Sequence, residues 1–128
     1  MQEQTTGTSP AELDRFIATL DLDIEALDEG DRKAFDESKR TLSKAMDRGQ
    51  LTINPEGCPV FKSQSGREFT FKKPTGGTLV AMDHQKGPNE KAIAAMADMT
   101  GKHRLAFTEM LRSDLRVCET IVVLSFAT

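Results

Sequence analysis

The segment of this chain that most suggests chemistry is the short loop Thr75-Gly76-Gly77-Thr78, which follows a strand-like pattern and precedes a helical one. Backbone N–H groups at the start of a helix bind anions, so a glycine-containing loop at this place could hold a phosphate. However, the loop lacks the spaced glycines and the Gly-Lys-Ser/Thr ending of nucleotide-binding loops. We therefore interpret it as a strand-to-helix turn in which glycine frees the backbone and threonine caps the helix.

The histidines and cysteines offer a second possible chemistry. Asp83 and His84 could form half of an acid–base pair, although adjacent residues on a helix point in different directions. A zinc site could be imagined from the side chains of Cys58, His84, His103 and Cys118. No two of these show the short spacing of zinc ligands, and the chain contains neither a nucleophile elbow nor a zincin motif. We predict no catalytic residues, no metal and no cofactor.

Length and composition limit the remaining classes of function. The chain has 128 residues, 38% of them hydrophobic and 29% charged, which predicts a folded domain rather than a disordered or membrane protein. Its longest apolar run, Ile121 to Leu124, is far shorter than the roughly 20 residues that cross a bilayer. A net charge of −3 argues against a broad nucleic-acid surface. The polar stretch Met1 to Ser9 shows no signal-peptide pattern, so we expect a cytoplasmic protein.

Two helices are predicted in residues 1–50, which we interpret as an N-terminal helical extension. The first starts at Ser9-Pro10-Ala11-Glu12, where Ser9 can cap and Pro10 suits the first helical position. The second follows the acidic turn Asp28-Glu29-Gly30-Asp31 and ends near Gly49. It carries a sparse apolar stripe on one face, formed by Phe35, Leu42, Ala45 and Met46. Its dense charged face is either a solvated surface with pairs such as Asp36 and Arg40, or a surface that packs on a neighbouring subunit.

Residues 51–128 are predicted to form a small α+β domain. Leu51–Ile53, Pro59–Phe61 and Glu68–Lys72 read as strands separated by short turns, which predicts a two- or three-stranded antiparallel meander. Pro74 ends the strand pattern, because proline removes a ladder donor and disfavours helix at the preceding residue.

Helical patterns follow from Leu79 to the end of the chain. Gly87-Pro88 and Gly101 separate them, and Ser113 or Asp114 can cap the last helix. The predicted fold class is therefore α+β, with a small antiparallel β meander flanked by helices and an N-terminal helical extension. Our predicted core consists of Phe69, Phe71, Leu79, Ile93, Met96, Leu115, Cys118 and Val122.

Three stretches of the C-terminal half carry a family resemblance. They are "FTFKKPTGGTLVAMD", "MADMTGK" and "FTEMLRSDLRVCETIVVLSF". A strand ends in Lys73-Pro74, a helix starts with Gly76-Gly77, and another helix ends in Met99-Thr100-Gly101. A turn over Leu111 to Leu115 then leads into a final apolar helix. In this order of motifs, roughly Leu51 to Phe126 resembles the tail assembly chaperones of long-tailed bacteriophages.

The resemblance implies a function without catalysis. Members of that family bind the long helical tape measure protein in the host cytoplasm, keep it soluble while the tail tube assembles, and are absent from the finished tail. A second hypothesis is a small structural subunit, such as a tail or baseplate adaptor, that stays in the virion. A third is a small enzyme or inhibitor with a distributed site.

Two apolar patches are the candidate binding surfaces, either for the tape measure protein or for another copy of this chain in a homo-oligomer. The first lies on the N-terminal helix and comprises Leu13, Phe16, Ile17 and Leu20. The second lies at the end of the last helix and comprises Val123, Leu124 and Phe126. The first patch is separated by a turn from the rest of the chain, so one hypothesis is that it lacks an intramolecular partner. The alternative is that both patches pack on their own domain, as apolar residues at such positions more often do. No nucleic-acid or membrane partner is predicted.

Overall fold

Six α-helices and a three-stranded sheet form the part of the chain that the computed structural model describes, residues 3–20 and 22–126, with residues 3–10 described through their backbone only. The α+β class is confirmed. In chain order the elements are α1 Glu3–Ala18, a 3₁₀ turn Ile24–Ala26, α2 Glu29–Asp47, β1 Leu51–Ile53, β2 Pro59–Lys62, β3 Glu68–Thr70, α3 Gly76–Asp83, α4 Pro88–Thr100, α5 Leu105–Thr108 and α6 Arg112–Ser125.

Helix α1 begins before the position that the sequence predicts. Its backbone is helical from Glu3, so the predicted start at Ser9 is wrong. Proline inside a helix removes one backbone donor and costs about 3 kcal/mol, yet here the helix continues through Pro10. Helix α2 begins at Glu29, inside the predicted acidic turn, with Asp28 accepting a hydrogen bond of 2.7 Å from the backbone N–H of Asp31.

The sheet has the order β1-β2-β3 with antiparallel pairs, so the predicted meander is confirmed. Register places Leu51 opposite Phe61, and Phe61 opposite Phe69. These three side chains are buried and share one face, because residues directly opposite each other on paired strands project to the same side of the sheet. Helices α1 and α2 pack against β1, and α4 packs against β3. The small sheet is therefore apolar on the side that meets the helices.

A buried carboxylate joins the sheet to the last helix. Asp114 is 3% exposed, and its carboxylate accepts hydrogen bonds from Gln50 Nε2 at 3.1 Å and from the backbone N–H of Gln64 at 3.0 Å. The predicted capping role is wrong, since α6 begins at Arg112 with Leu111 as its N-cap residue and without a side-chain cap. Tertiary packing brings the β2–β3 turn within reach of the carboxylate, and local sequence does not reveal that contact.

One hydrophobic core extends across the predicted boundary at residue 50. It combines Leu13, Phe16 and Leu42 of the N-terminal helices with residues of the sheet and of α6. Of the predicted core residues, five are confirmed as buried, namely Phe69, Phe71, Met96, Cys118 and Val122. Two others, Ile93 and Leu115, are partly buried against the core.

Leu79 is the exception among the predicted core residues. It is 52% exposed, so its assignment to the core is wrong. Thr78 and Met82, which are four positions apart, provide the inward side of α3, and Thr78 is fully buried. The short helix is apolar over most of its surface, and the periodicity of its sequence does not show which side packs.

Replacing Phe71 by alanine should lower the free energy of unfolding by about 3–5 kcal/mol, because the ring is fully buried and the cavity would not refill. Leu79→Ala is the matched control at an exposed site and should change the free energy of unfolding by less than about 0.5 kcal/mol. Urea denaturation of both variants measures the difference. Equal losses would contradict the observed burial.

Asp114→Asn should destabilise the fold by about 1–3 kcal/mol, because an amide N–H₂ group would face donors that now bind a carboxylate. Asp36→Asn, at an exposed position of α2, is the control and should have little effect. Thermal melts monitored by circular dichroism provide the measurement. A variant as stable as the wild type would show that Asp114 does not hold the β2–β3 turn against α6.

Candidate functional site

The glycine-containing segment Thr75–Thr78 joins the start of α3 to α4 through hydrogen bonds. Thr75 is the N-cap residue of α3, and its backbone N–H donates to Thr78 Oγ1 at 3.0 Å. The Thr78 hydroxyl in turn donates to a carboxylate oxygen of Asp98 on α4. Both hydrogen-bonding roles of this buried hydroxyl are thereby occupied within the chain. The segment is a strand-to-helix junction, as interpreted, but Gly76 and Gly77 lie in the first turn of α3 without a positive φ, so the expected need for glycine is wrong.

The histidines and cysteines do not come together as a reactive group. In the part of the chain that the structure describes, no three His, Cys, Asp or Glu side chains are arranged to hold a metal ion. His84 Nδ1 lies 2.8 Å from the carbonyl oxygen of Val80, and His103 Nδ1 lies 3.1 Å from the backbone nitrogen of Leu105. Both rings are exposed and engaged with nearby backbone.

The two cysteines are free thiols in different surroundings. Cys58 is partly buried, whereas Cys118 is buried and lies 3.8 Å from the sulfur of Met110. Burial raises the pKa of the Cys118 thiol far above its ordinary value, and the carboxylates of Asp114 and Glu119 act in the same direction. The thiol is thus held protonated, which makes it a poor nucleophile and a poor metal ligand.

The first predicted patch lies inside the protein. Leu13, Phe16 and Ile17 are buried, and Leu20 is packed against the same core. The expectation that this patch lacks an intramolecular partner is wrong. Helix α1 is held on the sheet by the Arg15 guanidinium, which donates to the carbonyl oxygens of Ile53 at 3.0 Å and Asn54 at 2.9 Å. In this fold the patch stabilises the domain and is not free to contact a partner.

The second predicted patch divides between the core and the surface. Val123 is 60% exposed, Leu124 is buried and Phe126 is partly buried. Together they line one side of an apolar groove of about 300 Å³, named here the C-terminal groove. The structure therefore assembles the three residues at one concave surface, which the apolar run at the end of α6 could not show.

The opposite side of the C-terminal groove is formed by residues that the sequence did not identify as a binding surface. Leu22 and Leu27 come from the linker before α2, and the remaining lining residues are Asp31, Ala34, Phe35 and Ser38 of α2. The α2 residues follow the spacing i, i+3, i+4 and i+7, which places them along one face of the helix. That spacing is visible in the sequence, but the α6 partner that turns the face into a groove is not.

Other exposed apolar side chains are dispersed over different elements. Leu79 and Val80 lie on α3, Leu105 lies on α5, and Leu111 precedes α6. A second cavity of about 180 Å³ is lined by Leu111 and Met110 together with polar residues of the β2–β3 turn. Two wider depressions, of about 630 and 710 Å³, are lined mainly by polar and charged residues. The C-terminal groove has a mostly apolar lining, so it is our candidate functional site.

Comparison of the chain with protein-family models, with curated proteins and with solved structures gives no significant match. Within residues 3–20 and 22–126, none of the helices combines the length and apolar character required to cross a membrane.

The buried thiol should make the fold sensitive to alkaline pH. An unfolded thiol ionises near pH 8.5, whereas the folded Cys118 does so at higher pH, so the stabilisation is complete below about pH 8.5 and declines as pH rises. Wild type should therefore lose more free energy of unfolding between about pH 8 and pH 10 than Cys118→Val does. Cys58→Val is the matched control and should follow the wild type. Parallel pH profiles for wild type and Cys118→Val would contradict this assignment.

Proposed function

We propose that this chain is a non-enzymatic tail assembly chaperone of long-tailed bacteriophages, which binds the tape measure protein in the host cytoplasm and keeps it soluble during tail assembly. The proposal rests on the motifs around Lys73-Pro74, Gly76-Gly77 and Met99-Thr100-Gly101, and on the C-terminal groove as a place for an apolar segment. The groove is the observation that carries it.

The groove suits a helical client. An amphipathic helix can place its apolar face in a hydrophobic groove while its polar face stays in water. Here α2 and α6 form the two walls, and Val123 is an exposed apolar side chain on the α6 wall. A long helical protein with exposed apolar stripes aggregates unless these stripes are covered. Binding of several copies along such a protein would cover them, and association between copies is part of the same proposal.

The test is co-expression with the very long helical protein that we expect an adjacent gene to encode. The chain should increase the soluble fraction of that protein and co-purify with it. Val123→Asp should reduce both effects, because it places a charge on the apolar lining of the groove. Val80→Asp is the matched control, since Val80 is 55% exposed and lies on α3, outside the groove.

Three outcomes would contradict parts of the proposal. If the wild-type chain leaves the tape measure protein insoluble and does not bind it, the chaperone function is wrong. If the chain is found in purified virions, a structural subunit such as a tail or baseplate adaptor is the better interpretation. If both aspartate variants behave alike, binding occurs outside the C-terminal groove.

A further inference from the structure

The C-terminal groove is apolar inside and has an uneven charge around it. Its single ionisable lining residue is Asp31, at the end that meets the linker before α2. Between residues 22 and 31 the chain contains no Lys or Arg. The same ten residues contain several exposed carboxylates, namely Asp23, Glu25, Asp28, Glu29 and Asp31. The linker end of the groove is therefore acidic.

Two cations near the groove are engaged within the chain. Arg32 Nη2 donates to the carbonyl oxygen of Ile24 at 2.9 Å, so this guanidinium is tied to the linker backbone. Lys39 Nζ lies 5.6 Å from the centre of the Phe35 ring, one helical turn beyond that lining residue. The α6 wall adds no cation, since residues 117–126 contain Glu119 and no Lys or Arg. Residues 22–33 contain five carboxylates and two cations, Arg32 and Lys33, so the linker end keeps a net negative charge that an occupant meets.

We infer that the C-terminal groove selects a basic amphipathic helix, with an apolar stripe that enters the groove and Lys or Arg beside the stripe at the end that meets Asp31 and the linker. This inference rests on the proposed function, because it states the chemistry of the client segment. Apolar contacts with Phe35, Val123 and Phe126 supply most of the affinity, and the carboxylates determine which helices are accepted and in which direction they lie.

The experiment uses the full chain and two synthetic helical peptides that share one stripe of Leu and Ala. One peptide carries Lys beside the stripe and the other carries Glu, and fluorescence anisotropy measures their dissociation constants. The Lys peptide should bind about tenfold or more tightly than the Glu peptide. Its advantage should shrink as salt is added, because exposed charges are screened.

Substitutions at exposed positions locate the binding. Ala34→Trp fills the groove from an exposed lining position and should weaken the Lys peptide about tenfold. Asp31→Lys should reduce the preference for Lys over Glu. Asp36→Lys makes the same charge change on the outer surface of α2 and should leave the preference unchanged. Circular dichroism melts confirm that each variant folds.

Several results would overturn the inference. The first is equal binding of the two peptides. The second is that Asp36→Lys reduces the preference for the Lys peptide as strongly as Asp31→Lys does. The third is that Ala34→Trp changes the sedimentation of the chain alone while peptide binding stays intact, which would make another copy of this chain the occupant. If Ala34→Trp still solubilises the tape measure protein, the groove is not its site although the chaperone function stands. If wild type fails in that assay but prefers the Lys peptide, the function is wrong and the selectivity of the groove stands.

Discussion

Burial of one face of a very small sheet is the constraint on which the rest of this structure depends. Three strands of three or four residues cannot form a stable unit in water by themselves. Leu51, Phe61 and Phe69 must therefore be covered, and helices from both halves of the chain provide the cover. Phe107 of α5 contributes directly, with its ring centre 5.1 Å from that of Phe69. The helices of residues 3–47 thus complete the core of the domain.

Covering the sheet also determines which apolar residues remain for binding. Helix α1 uses Leu13, Phe16 and Ile17 to cover the sheet side, and the Arg15 guanidinium fixes its position at β1. Helix α6 turns Cys118, Ile121 and Leu124 inward, which leaves Val123 at the surface. The C-terminal groove lies between α2, the linker before it and the end of α6. Its lining is apolar because it includes Phe35 of α2 and Leu124 of α6, which also belong to the core.

Polar contacts specify how the elements join. The carboxylate of Asp114 holds the residue before β1, Gln50, and the turn after β2, through Gln64, against the first turn of α6. The hydroxyl of Thr78 connects the start of α3 to Asp98 of α4. Among the described residues, every buried side-chain nitrogen and oxygen atom has a hydrogen-bond partner. Unpaired polar groups at these places would be costly, so the contacts favour one arrangement of helices over others.

The sequence by itself determined the local elements, because strand alternation, helical periodicity, proline and glycine act over only a few residues. The strands, the end of α2 before Gly49 and the junction of strand and helix at Thr75 were predictable in this way. Five of the eight predicted core residues are correct as well, since Phe69, Phe71, Met96, Cys118 and Val122 lie on apolar faces.

Tertiary structure decided which of several apolar faces is buried and which polar residues meet. Leu79 and Phe16 are both apolar residues in helical patterns, yet Leu79 is exposed in the structure and Phe16 is buried. Asp114 looks like a helix cap, and only packing places it beside Gln64. The C-terminal groove combines α2 and the linker before it with the end of α6, which lies about 90 residues further along the chain. Such a surface depends on the angle between helices, which no local pattern encodes.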